Sequence, residues 1–193
     1  MKKYELVLSD TAPLLTKTLY RIRALKNFGA VKAGYLGGYI ESEKNLSHEG
    51  DAWVGEYAQV FDNAQVYGNA QVSGVAQVFD NAQVYGEARV YGNAWVHGKA
   101  AVSGKAVVYD NAQVSGNAQV TGNAGVLGNA QVYDNAQVRG YAWVTGRSVV
   151  DGDRRVLGYT IVCDCAQASK KARVRGRISI SGKSRASRNV RAS

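Results

Sequence analysis

Proline occurs once in the 193 residues, at Pro13, although glycine occurs 22 times. Glycine without proline suits many turns joined by extended segments and argues against a flexible or proline-stiffened linker. Cysteine is almost as scarce: Cys163 and Cys165 are the two, separated by Asp164. A pair so close cannot staple a fold, and no second Cys or His pair accompanies it, so neither a disulfide framework nor a metal site is expected. No apolar run approaches the roughly 18 residues of a membrane span, and no membrane partner is expected. The opening MKKYELVLSD has charge but neither an apolar stretch nor a small-residue cleavage site, so it does not read as a secretion signal. A reducing cytoplasm is the compartment these absences imply. Histidine appears only at His48 and His97, which leaves little choice of an imidazole base.

Acid is missing from one whole segment. Between Ser169 and Ser193 there are nine Lys and Arg residues and no Asp or Glu. The formal charge of the chain is +9, so the remainder is neutral and all of the excess lies at one end.

What the sequence does have is a six-residue repeat. Every sixth residue from Val54 to Val150 is valine, and every sixth residue from Ala52 to Ala142 is alanine. The unit is A-x-V-x-(G/D)-N, as in the stretch Ala64-Gln65-Val66-Tyr67-Gly68-Asn69. In an extended chain, Ala and Val share one face while the two intervening residues take the other. Gly, Asp and Asn tolerate the positive φ of a sharp corner. A helix is excluded, because six is not a multiple of 3.6 and each unit carries poor helix formers. Each hexad therefore reads as a short strand and a bend in a coil of stacked strands. Counting by six continues through Val156, Val162, Ala168, Val174, Ile180 and Ala186, with Arg154 in an alanine position where a distorted corner is expected. About eight turns are expected. Residues 48–193 form the coil, regular to about residue 150, and residues 1–47, which lack the repeat, form a β-rich cap. Tyr4–Leu8 and the alternating Thr18–Phe28 are its candidate strands. Ala33–Gly38, AGYLGG, lacks the Lys-Ser/Thr of a phosphate loop and reads as a turn into the coil.

This unit resembles the hexapeptide-repeat proteins, although here Phe, Tyr, Ser or Thr often follows the valine where that family usually places Gly. The run VKAGYLGGYIESEKNLSHEG, from Val31 to Gly50, is similar to the start of a phage- and prophage-encoded group of such proteins, often labelled acyltransferases. The resemblance implies an all-β fold: a left-handed parallel β-helix of triangular section, three hexads to a coil, assembled as a trimer.

With eighteen residues per coil, side chains eighteen apart stack in columns. One face then carries Trp53, Tyr91, Val107, Tyr109, Leu127, Trp143 and Ile161, an apolar stripe expected to form the homo-oligomer interface. A second carries Phe61, Phe79, Trp95, His97 and Tyr133. The third carries Tyr67 and Tyr85 with a column of Gln65, Gln83, Gln119 and Gln137. Lower on the third face come Arg155, Arg173 and Arg191, flanked by Arg139 and Arg175; such a group repels itself unless an anion lies against it.

Three readings compete. In the first, the chain is a non-catalytic oligomer that binds or sequesters a phosphate-bearing anion, such as a nucleotide, through Arg139, Arg155, Arg173, Arg175 and Arg191, with no cofactor; nucleic acid is a less favoured anionic partner. In the second, implied by the resemblance, it is an acyltransferase using acetyl-CoA with His97 as base. No hexad between Val54 and Val150 contains an insertion, so no loop walls an acyl-carrier pocket, which favours the first. A purely structural solenoid whose charged end blocks edge-to-edge association is the third possibility.

Overall fold

Alternation within each hexad and one positive φ at its end suffice to set the path of the chain. In the computed structural model the fifth residue of each unit is left-handed: Gly68 at φ 71°, Gly74 at 72°, Asp62 at 57° and Asp80 at 60°. The asparagine that follows stays out of that region, and its amide bonds to the next coil instead, as from Asn117 to Asn135 at 3.0 Å. Where the left-handed corner is acidic, its carboxylate accepts the N–H of the corner one coil on: Asp80 from Gly98 at 2.9 Å, Asp110 from Gly128 at 3.1 Å, Asp134 from Gly152 at 3.1 Å. Asp therefore repays its strained backbone with a hydrogen bond that Gly cannot make.

The structure describes residues 2–14, 16–168, 173–176, 179–181, 185–186 and 190–191; for 167–168, 173, 175–176, 185–186 and 190–191 strand pairing alone is described. Every third hexad lies side by side in parallel, Val54 beside Val72, Val72 beside Val90 and Val90 beside Val108. Three sheets result, one per face of a prism. The face that begins at Trp53–Val54 has eight strands and ends at Ser179–Ile180, seven turns of eighteen residues later. Along it the repeat valines and alanines are fully buried and make one continuous core. This is an all-β parallel solenoid. Among the described residues no helix is long and apolar enough to cross a membrane.

The N-terminal region continues one of these sheets. Strand β1 (Tyr4–Leu14) pairs antiparallel with β2 (Lys17–Ala24), and β2 pairs antiparallel with β3 (Leu36–Ile40). Strand β3 then runs parallel to Gln59–Val60, so Ile40 sits beside Val60, and Leu46 bridges to Val66. The first rungs of the prism thus arise within the segment read from sequence as cap. The AGYLGG run is not simply a turn: Gly37 and Gly38 lie within β3. A Cβ on Gly37 would come within 2.5 Å of the Val54 carbonyl, and one on Gly38 within 2.4 Å of the Ala58 carbonyl. The glycine pair is there for close approach of backbones, which composition alone could not separate from turn-making.

An end coil has no predecessor to bond its carbonyls. Along the coil, carbonyls such as those of Gly68, Ala70, Asp80 and Ala82 accept N–H groups from the coil before. Their first-coil equivalents are served by side chains. Lys3 Nζ donates to the carbonyls of Gly50 at 3.2 Å and Ala52 at 2.8 Å. Asn45 Nδ2 donates to those of Asp62 and Ala64, both at 3.0 Å. Tyr4 adds a bond from its hydroxyl to the Leu46 carbonyl at 2.7 Å.

Between residues 144 and 162 three alanine positions change. Ser148 and Thr160 are buried, and each hydroxyl donates back to the carbonyl three residues earlier, at 2.5 and 2.7 Å. Arg154 is also buried and ion-pairs with Asp151, whose other oxygen accepts the Tyr133 hydroxyl at 3.2 Å. The expected distortion at Arg154 does not break the register: Gln137 still pairs with Arg155 and Val138 with Val156. The register changes at the last turn, where Val174 pairs with Val190 and Arg175 with Arg191.

Candidate functional site

The third face is where rung length changes. Its strands are two residues long at Gln65–Val66, Gln83–Val84 and Ala101–Val102, then four at Gln119–Gly122, Gln137–Gly140, Arg155–Gly158 and Arg173–Gly176. In the longer rungs Thr121 pairs with Arg139 and Leu157 with Arg175, so the positions of Arg139 and Arg175 lie within paired strand.

Where the two kinds of rung meet, the outward side chains are small. Ala101 follows Gln83 in one column and Ser103 follows Tyr85 in the other. The result is a concavity of about 280 Å³ lined by Tyr85, Ala101, Ser103, Gln119, Thr121 and Arg139. Above it Tyr67 and Tyr85 stack with parallel rings and centroids 4.9 Å apart. Burial, and then the neighbouring Tyr85, push the Tyr67 phenol above its usual range, so it remains a donor at neutral pH. That hydroxyl donates to Gln83 Oε1 at 3.4 Å. The residue in the corresponding place for Tyr85 is Ala101, which has no amide to offer. Below, Arg139 Nη2 donates to Gln119 Oε1 at 2.5 Å, a bond to the preceding rung that turns the guanidinium toward the notch. Arg155 is exposed one rung further on, in register with Gln137 before it and Arg173 after it.

The other predicted residues are distributed as follows. Arg175 is in register with Leu157, and Arg191 with Arg175. Arg191 therefore leaves the Arg155–Arg173 column in which counting by eighteen placed it, because the final turn is two residues short. The side chains of Arg173, Arg175 and Arg191 lie outside the described residues. The glutamine column bonds to its flanking Tyr67 and Arg139, while a glutamine-to-glutamine bond occurs on the second face, from Gln77 to Gln59 at 3.3 Å.

On the first face Trp53 does not belong to the exposed stripe. It is 3 % exposed, with its ring edge-on to Phe28 at 5.4 Å and to Tyr4 at 6.4 Å, so the N-terminal segment covers it. Tyr91 and Tyr109 stack at 5.0 Å, Val107 and Leu127 are half-buried, and Trp143 and Ile161 are exposed on adjoining rungs. Trp143 lies against Gly125, where a Cβ would come within 2.7 Å of its indole.

His97 stacks on Phe79 at 4.7 Å, and Phe79 on Phe61 at 5.1 Å; its Nδ1 is 3.6 Å from Asp80 Oδ2. His48 is held in the cap, stacked on Tyr4 at 4.3 Å, with Nδ1 accepting the Lys3 N–H at 3.2 Å. Among the described residues no group of three His, Cys, Asp or Glu gathers to hold a metal.

Three stretches match the family model described as YdcK beta solenoid repeat, at residues 58–74, 82–98 and 112–128. Each begins at an inward alanine (Ala58, Ala82, Ala112) and ends at a left-handed glycine (Gly74, Gly98, Gly128), so the match is keyed to the hexad phase. No curated protein matches the chain. The repeat match and the parallel coil together identify a β-solenoid repeat protein.

Proposed function

We propose that this β-solenoid is a non-catalytic, cytoplasmic homo-oligomer that binds or sequesters a phosphate-bearing anion on its third face. The observation that carries the reading is Arg139, which Gln119 turns toward a concavity of about 280 Å³, with the Arg155–Arg173 register running on below it. A guanidinium fork donates in pairs to phosphate oxygens, and the excess charge carried further along the chain by residues 169–193 adds long-range attraction. The likeness of Val31–Gly50 to phage-encoded proteins supports a phage origin. The trimer habit of hexapeptide proteins and the exposed Tyr91–Ile161 stripe support assembly.

Thermal-shift titration with phosphate, sugar phosphates, nucleotides and acetyl-CoA tests it. Phosphate compounds should raise the melting temperature by mass action, the more so at low salt, and Arg139→Ala with Arg155→Ala should remove the shift without lowering the melting temperature of the free protein. No shift from any phosphate compound would leave a structural solenoid with a charged, protected end.

One observation favours a second reading. The Asp80 carboxylate beside His97 is the kind of partner that orients a general base. If the chain transfers acyl groups, acetyl-CoA turnover is lost in His97→Ala and unaffected by the arginine substitutions. The uninterrupted hexads on every side of His97 weigh against it.

A further inference from the structure

We infer that the anion bound on the third face is a mononucleotide whose base stacks on Tyr85 in the rung of Ala101 and Ser103. This rests on the phosphate-binding reading and adds the part of the ligand that arginine does not recognise.

The Tyr67–Tyr85 stack is an aromatic ladder that stops one rung short of a closed surface. Its rings are parallel and 4.9 Å apart, in step with the strand spacing of the coil. The next position in the same column is Ser103, which is buried, and its neighbour is Ala101. One face of Tyr85 is covered by Tyr67; the other borders the notch. A flat π-system placed there continues the ladder with the geometry the two tyrosines already have. Gln119 and Thr121 close the notch from below, so it holds one ring.

Polar groups flank that ring position on both sides. Tyr85 has no glutamine at the place where Tyr67 finds Gln83, so its hydroxyl is available to a ligand. The hydroxyls of Ser103 and Thr121 and the amide of Gln119 border the same space. The Arg139 guanidinium, raised toward Gln119, stands between one and two strand spacings from the Ser103 rung, about 5–10 Å. A ribose joins a base to a phosphate across a distance of that order. Arg155, a rung lower, suits a second phosphate. An inorganic anion would use the arginines and leave the tyrosine face and the notch empty.

Calorimetric titration of the full chain with AMP, ribose 5-phosphate, inorganic phosphate and a single-stranded DNA 12-mer separates these possibilities. Base stacking on an aromatic side chain predicts that AMP binds about tenfold tighter than ribose 5-phosphate. Tyr85→Leu should erase that preference while leaving ribose 5-phosphate affinity within twofold. Ser103→Tyr is a second, structure-preserving variant: it extends the ladder by one ring, fills the notch and should abolish the preference with no loss of melting temperature. Equal affinity for AMP and ribose 5-phosphate in the wild type overturns the stacking inference and leaves the anion reading standing, as does a preference that survives Ser103→Tyr. Tighter binding of the 12-mer than of AMP overturns the mononucleotide. Absence of binding by every phosphate compound overturns both readings.

Discussion

Lys3 is the clearest case of one side chain standing in for a strand. Its ammonium is buried, bonded to the Gly50 and Ala52 carbonyls and set 4.9 Å from the centre of the Phe28 ring. Burial, opposed by Asp51 and reinforced by Lys26, lowers its pKa from 10.5 to about 8. Replacing Lys3 with Met strands the buried Ala52 carbonyl and leaves the part-buried Gly50 carbonyl to water, and should destabilise the protein by about 1–3 kcal/mol, measured by denaturant unfolding. The gap should widen with pH. Between about 8 and 10.5 the unfolded chain still holds a proton that the native chain has shed, so raising the pH favours the native state of the wild type alone. A gap that is constant from pH 7 to 9.5 would contradict the buried amine. Asn45→Ala removes the matching pair of donors at the next corner and should cost a similar amount, with no pH dependence. Sequence alone did not reveal either role. Both residues lie outside the repeat, and what they bond is a set of backbone groups missing their neighbours, a feature of the chain's end rather than of any local pattern.

At the scale of the hexad, much more was legible. Period six gave the inward valines and alanines because side-chain direction in a strand depends only on parity, and Val108 is fully buried as that parity requires. Val108→Asp should fail to give soluble protein, since an unpaired carboxylate enters a core of Val and Ala; Val108→Ala should fold and lose about 2–3 kcal/mol. Soluble, cooperatively melting Val108→Asp would refute the register. The choice between Gly and Asp at the corner was harder to read, because the benefit of Asp is a bond to a residue eighteen positions on. Asp134→Ala keeps the strained φ of 58° and loses the bond to the Gly152 N–H, so it should destabilise more than Asp134→Gly in the same unfolding assay. The short final turn was illegible for a related reason. Counting assumes equal coils, and Arg191 shows that pairing follows backbone fit rather than arithmetic. The notch beside Tyr85, by contrast, was open to inspection: Ala101 interrupts a glutamine column and Ser103 ends a tyrosine column. Columns read for what recurs conceal positions where nothing recurs.

For the whole molecule, three faces mean three separate surfaces, and each can serve a different end. The second carries the Phe61–Phe79–His97 stack beside an exposed Trp95. The third carries the notch. The first keeps an apolar band after the loss of Trp53 to the cap: Tyr91 and Tyr109 in one column, Trp143 and Ile161 in the next, with Tyr141 and Tyr159 stacked at 4.8 Å along the adjoining edge. Trp143 is 39 % exposed, Ile161 42 % and Tyr159 56 %, so this face presents large side chains to water. Stacking between rungs explains why like sits over like, but it leaves apolar surface open to water, which a second copy of the chain would cover. The wild type should therefore run as an oligomer, with three subunits the expected number, in light scattering at micromolar concentration. Tyr109→Glu with Trp143→Glu should release folded monomers, because like charges then face one another across the contact. Trp53→Phe, buried beneath Phe28, should lower the melting temperature and leave the subunit number unchanged. A monomeric wild type, or an oligomer indifferent to both glutamates, would remove the first face from consideration and return its aromatic columns to the single role of holding their own strands in register.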